Sequence, residues 1–179
     1  MAALKGVQIY DRTPLASPCD FKNFLLWGFF PIDFHERQSY DETMQTFVPY
    51  PNIKSSAESL DKKRLGKQRV ETLQILNCII KGGKGWSNHP AVKMWRQNPH
   101  GLAAYGLVVC RTWIELGCAD TCTEKISSLI EPDESDLPTW WGDERVHSSH
   151  RSNLVRKDPN FYSAHGWTDD PEAPYFWPV

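Results

Sequence analysis

The strongest constraint on how this chain can fold is a helical repeat of apolar residues between Ser55 and Lys81. Ser55 and Glu58 form an S-x-x-E capping box, which is typical of a helix start, and the pair Gly82-Gly83 is typical of a helix end. Apolar and small side chains recur on one side at a period of 3.6 residues: Leu65, Thr72, Leu73, Leu76, Ile79 and Ile80. The pattern predicts one long helix with a single buried face.

The opposite face of this helix carries Arg64, Lys67 and Glu71, at spacings of three, four and seven residues. A carboxylate at that position lies among cations, which favour its ionised form. On a phosphate-binding surface it would add repulsion unless it had a chemical task, such as moving a proton or stabilising a cationic sugar. That chemistry also needs a nucleophile, for which water, a Lys amine and a chain-terminal amine are the candidates. The alternative is an ordinary surface ion pair between Lys67 and Glu71.

Three further segments are predicted to be helical. A short helix runs from Pro90 to Arg96, and a second, apolar nearly all round, runs from Leu102 to Leu116 with Gly117 as its cap. A third runs from about Asp143 to Lys157, after a loop at 131–143. No segment shows convincing β alternation, so the predicted fold class is all-α.

The chain of 179 residues is long enough for one domain. We predict a compact single-domain helical bundle over residues 44–179, ending in a tail rich in Pro and aromatic residues. Residues 1–43 mix turn-forming residues with an aromatic patch and show no sustained period, so they are predicted to be an irregular extension. This extension either packs by its aromatic residues or results from a start codon upstream of the native one, which would be Met44.

The net charge of -2 argues against a uniformly basic nucleic-acid-binding protein, but the charge is unevenly distributed. Residues 54–97 carry ten Lys or Arg and three acids, a net of +7, and residues 145–157 carry +4. Residues 115–144, between them, carry -8. If the two basic segments meet, they form a cationic face suited to phosphates and bases, with aromatic and imidazole rings among the cations: Trp86, His89, Trp95, His147 and His150. The alternative is a solvated helix face.

The five cysteines form an odd number in a chain too large to need disulfides, which favours a reducing, intracellular, cytoplasmic setting. Cys118 and Cys122 together with His147 and His150 offer a Cys2His2 set for zinc. We favour the simpler interpretation of buried thiols and surface histidines, and therefore predict no metal site. No apolar run approaches the roughly 20 residues that cross a bilayer, so no membrane partner is expected.

Three segments together resemble the pyrimidine dimer DNA glycosylase family, the phage endonuclease V type, in its cellular branch. The first, SLDKKRLGKQRVETLQIL (59–76), resembles the first long helix of that family, in which Glu71 falls on the catalytic Glu. The second, GWSNHPAVKMWRQNPHGLAAYG (85–106), resembles a His-Pro segment and the following helix. The third, HSSHRSNLVRKDPNFY (147–162), resembles the C-terminal helix, and the resemblance spans residues 44 to about 162.

The resemblance implies a DNA repair enzyme, with glycosylase and abasic-site lyase activities, that acts as a monomer on damaged double-stranded DNA without a cofactor. The N-terminal α-amine would attack the sugar C1′, and Glu71 would assist by proton transfer. Here the amine would belong to Met44, provided that the mature chain begins there. Residues expected to contact DNA are Arg64, Lys67, Arg69, Trp86, His89, His147, His150, Arg151, Arg156 and Lys157.

Val70 stands where the family usually has an Arg. A noncatalytic nucleic-acid-binding protein on the same scaffold is the alternative.

Overall fold

This computed structural model describes residues 44–82 and 85–179, which contain seven α-helices and one 3-10 helix joined by loops. No strand occurs in these residues, and the predicted all-α class is confirmed. The predicted extension at 1–43 lies outside the described residues. The helices are α1 (Ile53–Glu58), α2 (Lys62–Lys81), α3 (Pro90–Trp95), α4 (Pro99–Glu115), α5 (Thr123–Leu129), α6 (Glu144–Lys157) and α7 (Pro159–Tyr162), followed by the 3-10 helix Ser163–His165.

The long helix begins later than predicted, because the side chain of Asp61 caps it. Asp61 Oδ1 accepts a hydrogen bond from the backbone N–H of Arg64 at 3.1 Å, and the chain before it forms the separate helix α1. Asn52 caps α1 by accepting from the N–H of Ser55, so the capping box predicted at Ser55 is wrong. The predicted end is confirmed, since Gly82 takes the left-handed conformation with φ 71°.

Helices α2 and α4 pack against each other and form the centre of the bundle. Gly106 of α4 permits their close approach, because a Cβ there would lie 2.5 Å from the Thr72 side chain and 3.0 Å from Ile126. Half of the predicted apolar face of α2 is buried, namely Leu65, Thr72 and Leu76, whereas Leu73 and Ile79 are partly buried and Ile80 is 41% exposed. The helix therefore turns its last apolar residue away from the core.

Helix α4 starts at Pro99, three residues before the predicted start, because an acidic side chain from the loop 131–143 receives its first N–H groups. Asp136 Oδ2 accepts from the N–H of His100 at 3.1 Å and from that of Gly101 at 3.2 Å. A negative charge at a helix N-terminus also interacts favourably with the helix dipole. Sequence patterns could not supply this partner, since it lies 35 residues away.

Helix α5 was not predicted, and it depends on a local cap within the acidic segment. Asp120 Oδ2 accepts from the backbone N–H groups of Cys122 and Thr123 and from the Thr123 hydroxyl, at 2.6 to 3.1 Å. Helices α3 and α6 agree with their predicted bounds to within one residue. No helix in the described residues is both long enough and apolar enough to span a bilayer.

Gly101 provides a direct test of the contact between α4 and the loop that caps it. A Cβ at Gly101 would lie 2.8 Å from the carbonyl carbon of Asp136 and closer still to its oxygen, and a backbone neighbour cannot move aside cheaply. We expect Gly101→Ala to lower the free energy of unfolding by about 1–3 kcal/mol, as overpacked positions do. Urea denaturation at pH 7 measures this loss. The matched control is Gly85→Ala, where a Cβ meets nothing within 4 Å; equal losses in the two variants would contradict the steric argument.

Candidate active site

The candidate site is built around residues 44–49, a segment outside any helix that is buried in the interior. Side chains from the helices satisfy its backbone groups. Gln68 of α2 accepts from the N–H of Phe47 at 2.9 Å and donates to the carbonyl of Gln45 at 2.8 Å. The Tyr105 hydroxyl of α4 donates to the carbonyl of Phe47 at 2.8 Å. Buried peptide groups need such partners, so the helices specify the path of this segment.

Two histidines on α6 clamp the next residue of the segment. The N–H of Val48 donates to Nδ1 of His150 at 2.9 Å, and the carbonyl of Val48 lies 2.6 Å from Nδ1 of His147, which must therefore carry a proton. Both rings have 0% exposure. Their predicted placement on a DNA-facing surface is thus corrected, because their interior role is to hold the backbone at Val48. Trp95, expected in the same cationic face, is also buried and donates to Thr46 Oγ1.

Glu71 lies against the same segment and is only 4% exposed, rather than on an open helix face. Its Oε1 forms an ion pair with Lys67 Nζ at 3.2 Å, and its Oε2 accepts from Gln68 Nε2 at 2.9 Å. The backbone N–H of Gln45 also hydrogen-bonds to this carboxylate. The carboxylate thus contacts the residue that immediately follows Met44, which is itself buried.

Burial raises the pKa of Glu71 to about 7, although Lys67, the N–H of Gln45 and the more distant charge of Lys157 favour the ionised form. The loss of hydration outweighs the cations because the side chain is almost entirely enclosed. A carboxyl group with this pKa exists in both protonation states near neutral pH, so it can donate as well as accept a proton.

The basic side chains predicted around this carboxylate differ in how accessible they are. The Lys67 side chain is 48% exposed, and Lys157 is half-buried at the end of α6. Arg64 is 14% exposed and is paired with Asp61 at 2.6 Å, so it offers little surface to a ligand. Of these three side chains, Lys67 therefore offers the most surface to an anionic ligand.

Arg69 was predicted to bind phosphate, but the structure places it in the interior. Its side chain is 6% exposed, forms an ion pair with Asp120 and lies over the Trp113 ring at 4.3 Å. Hydrogen bonds to Asp120 from Thr123, Arg69 and Cys122 outweigh its burial and hold its pKa at about 2. The predicted phosphate contact of Arg69 is corrected, since the side chain links α2 to the cap of α5.

The remaining residues predicted to bind DNA lie in two other places. Trp86 is 45% exposed, and its ring meets that of His89 edge-on at 5.5 Å. His89 caps α3 by accepting from the N–H of Ala91. Arg151 is bound to Asp169 at 2.6 Å, and Arg156 donates to backbone carbonyls of the C-terminal tail. The structure therefore brings Lys67 and Lys157 near Glu71 but gives Arg64, Arg151 and Arg156 partners elsewhere within the protein.

No group of three or more His, Cys, Asp or Glu side chains in the described residues could hold a metal ion. The zinc interpretation of Cys118, Cys122, His147 and His150 is therefore wrong. Both histidines use Nδ1 on Val48, and Cys122 lies at the cap of α5.

Three polar residues of the site were not identified from the sequence: Gln45, Gln68 and Tyr105. Gln68 precedes Glu71 by one helical turn, and this spacing was an available signal, since residues three apart share a helix face. Tyr105 stood within a helix predicted to be apolar nearly all round, where its hydroxyl needs a buried partner. Neither signal identifies the partner itself.

Comparison with protein families supports the sequence resemblance. The family model described as pyrimidine dimer DNA glycosylase matches residues 44–125, a segment that contains Glu71, Gln68 and the buried residues 44–49. The recognition of that family from the sequence is confirmed over this segment. A search of curated proteins and a search of solved structures each found no match.

The histidine clamp predicts a specific dependence of stability on pH. Burial, and to a lesser extent His147, lowers the pKa of His150 to about 3, whereas an unfolded His titrates near 6.5. Below pH 6.5 the unfolded chain takes up a proton that the folded chain does not. The contribution of neutral His150 to the free energy of unfolding is therefore complete above pH 6.5 and is lost progressively towards pH 3.

We expect the difference in unfolding free energy between wild type and His150→Asn to be largest at pH 7. It should shrink by up to about 1.4 kcal/mol per pH unit below 6.5, because the other titrating groups cancel in the difference. Urea denaturation from pH 7 to pH 4 measures it. A difference that stays constant over this range would show that His150 is not held neutral.

Proposed function

We propose that this protein is a DNA repair glycosylase with abasic-site lyase activity that acts on damaged duplex DNA, with pyrimidine dimers as the expected lesion. It would act as a monomer inside the cell. The observation that carries this proposal is Glu71, a buried carboxyl group whose pKa burial raises to about 7, placed between the accessible cation Lys67 and the backbone that follows Met44. The family match over residues 44–125 supports the same reaction class.

The geometry around Met44 favours an α-amine as the nucleophile. The N–H of Gln45 hydrogen-bonds to Glu71, so the nitrogen of Met44 lies one residue away from that contact. In a chain that begins at Met44, this nitrogen is an amine close to a carboxyl group able to accept its proton. In a chain that carries residues 1–43, the same nitrogen is a peptide amide and cannot attack. Lys67 Nζ, 3.2 Å from Glu71 Oε1, is then the amine nearest to the carboxylate.

The proposed reaction proceeds through an imine. The amine nitrogen bonds to C1′ as the damaged base leaves with the bonding electrons and receives a proton. Ring opening then gives a Schiff base between the amine and C1′. Removal of a proton from C2′ breaks the C3′–O bond, and the electron pair departs with the phosphate oxygen, which cuts the strand. Glu71 would donate and accept these protons, which a carboxyl group titrating near neutral pH can do.

The charge around the site suits a DNA backbone. Lys67 and Lys157 flank Glu71, and the exposed residue Lys63, one turn before Lys67, extends the basic surface along α2. Phosphate contacts by such side chains position a duplex without reading its sequence. Val70, in the place of the usual Arg, packs against the core, so the proposal assigns it no contact with DNA.

Borohydride trapping tests the imine directly. We expect the protein to form a covalent adduct with duplex DNA carrying an abasic site or a pyrimidine dimer when borohydride is present, because borohydride reduces the Schiff base to a stable amine. Mass spectrometry of the digested adduct identifies the modified nitrogen. In a chain starting at Met44 we expect the adduct on that residue, and in the full chain on Lys67.

If neither chain forms an adduct with either duplex, the imine mechanism is excluded. Salt-sensitive binding without strand cleavage would then identify the noncatalytic nucleic-acid-binding alternative.

Replacement of Glu71 separates binding from catalysis. We expect Glu71→Gln to bind abasic duplex at least as tightly as wild type, since it removes a negative charge, and to cleave it about 10²- to 10⁴-fold more slowly. Single-turnover cleavage and fluorescence anisotropy measure the two properties. Glu58→Gln is the matched control, because Glu58 is exposed on α1 and pairs only with Lys54 among the described residues. Equal cleavage rates in the two variants would remove Glu71 from the mechanism.

A further inference from the structure

Gln68 is the residue that physically connects the buried segment to Glu71. Its side chain has 0% exposure, and both the oxygen and the nitrogen of its amide have hydrogen-bond partners. Oε1 accepts from the N–H of Phe47 at 2.9 Å and also lies 2.9 Å from the Tyr105 hydroxyl, whose single proton is shared with the carbonyl of Phe47. Nε2 donates to the carbonyl of Gln45 at 2.8 Å and to Glu71 Oε2 at 2.9 Å.

These partners fix the orientation of the amide. If the amide were turned over, its NH2 group would face the N–H of Phe47, a donor against a donor. Its oxygen would face the Glu71 carboxylate, an acceptor against an acceptor. Unsatisfied polar groups in the interior cost free energy, and because this amide is fully buried, water cannot replace the lost hydrogen bonds. The Nε2–H group therefore points permanently at Oε2 of Glu71.

We propose that Gln68 is a positioning residue that holds Oε2 of Glu71 and thereby reserves Oε1 for proton transfer. Oε1 is the oxygen that faces Lys67, the accessible cation of the site. The catalytic part of this inference rests on the proposed function, whereas the hydrogen bond to Glu71 does not.

The arrangement also links Glu71 to the backbone of the segment. One amide holds the carbonyl of Gln45, the N–H of Phe47 and the carboxylate, so any displacement of the segment moves the donor that Glu71 uses. A hydrogen bond to a carboxylate favours the ionised form and opposes the effect of burial. Loss of this donor should therefore make Glu71 harder to ionise.

The titration of Glu71 tests the positioning role without relying on any activity. Carbon-13 NMR of labelled glutamate carboxyl groups follows each Glu through its titration, and the Glu71 signal is identified by its loss in Glu71→Gln. We expect Gln68→Met to move the midpoint of this titration upward by about one pH unit, a tenfold change in the ionised fraction at a given pH. The midpoint of the pH profile for single-turnover strand cleavage should move by the same amount.

Ile126→Ala serves as the control for a general loss of stability. Ile126 is fully buried on α5, and none of the hydrogen bonds described for the site involves it. We expect this variant to unfold more easily but to keep the wild-type Glu71 midpoint. A Gln68→Met variant that is folded and titrates like wild type would overturn the proposal, and so would an equal shift in Ile126→Ala.

A measurement on the wild-type protein keeps the proposal testable if Gln68→Met does not fold. The side-chain NH2 protons of Gln68 should shift with the same midpoint as the Glu71 carboxyl group, and this response should vanish in Glu71→Gln. An NH2 signal that is insensitive to pH through that range would refute the hydrogen bond. Absence of strand cleavage by wild-type protein would refute the proposed function alone, since both titrations would still decide the role of Gln68.

Discussion

The structure depends on the burial of one segment of backbone, residues 44–49, that belongs to neither a helix nor a sheet. Each peptide group placed there must find a partner among the side chains of the surrounding helices. Gln68, Tyr105, His147 and His150 supply those partners from α2, α4 and α6. The same requirement brings these three helices to one place, so the core of the bundle and the candidate site are formed by the same set of contacts.

Placing Glu71 beside this segment determines its chemistry. The enclosure that makes the backbone contacts strong also removes water from the carboxylate, and burial raises its pKa to about 7 despite the cation at 3.2 Å. On an open helix face the same ion pair would leave the carboxyl group ionised and weakly coupled. The reactivity proposed for Glu71 thus follows from the burial of its side chain. Its ion-pair partner Lys67 is half-exposed, so the buried carboxylate is one contact away from the protein surface.

The division of charge along the chain has a structural as well as an electrostatic consequence. Two acids of the negative segment, Asp120 and Asp136, accept hydrogen bonds from the N–H groups that begin α5 and α4. Asp120 also pairs with Arg69, which removes one cation from the basic surface. Some acids of the negative segment therefore bind groups within the protein. The basic face that remains near Glu71 is smaller than the count of charges suggests.

The sequence by itself determined the helical class, the ends of α2 and α6 and the position of α3, because helical periodicity, glycine stops and proline starts act over a few residues. It also indicated Glu71 as a candidate, but on an open helix face, whereas the side chain is buried. Only the tertiary structure decided the start of α4, the existence of α5 and the burial of Arg69, His147 and His150. The start of α4 and the burial of these side chains depend on partners distant in the sequence. Helix α5 depends on a local capping residue, but its sequence has no apolar repeat that would predict a helix. His150 and Val48, for example, are 102 residues apart. Local patterns indicate which residues can form hydrogen bonds, but the packing of distant helices decides which ones do.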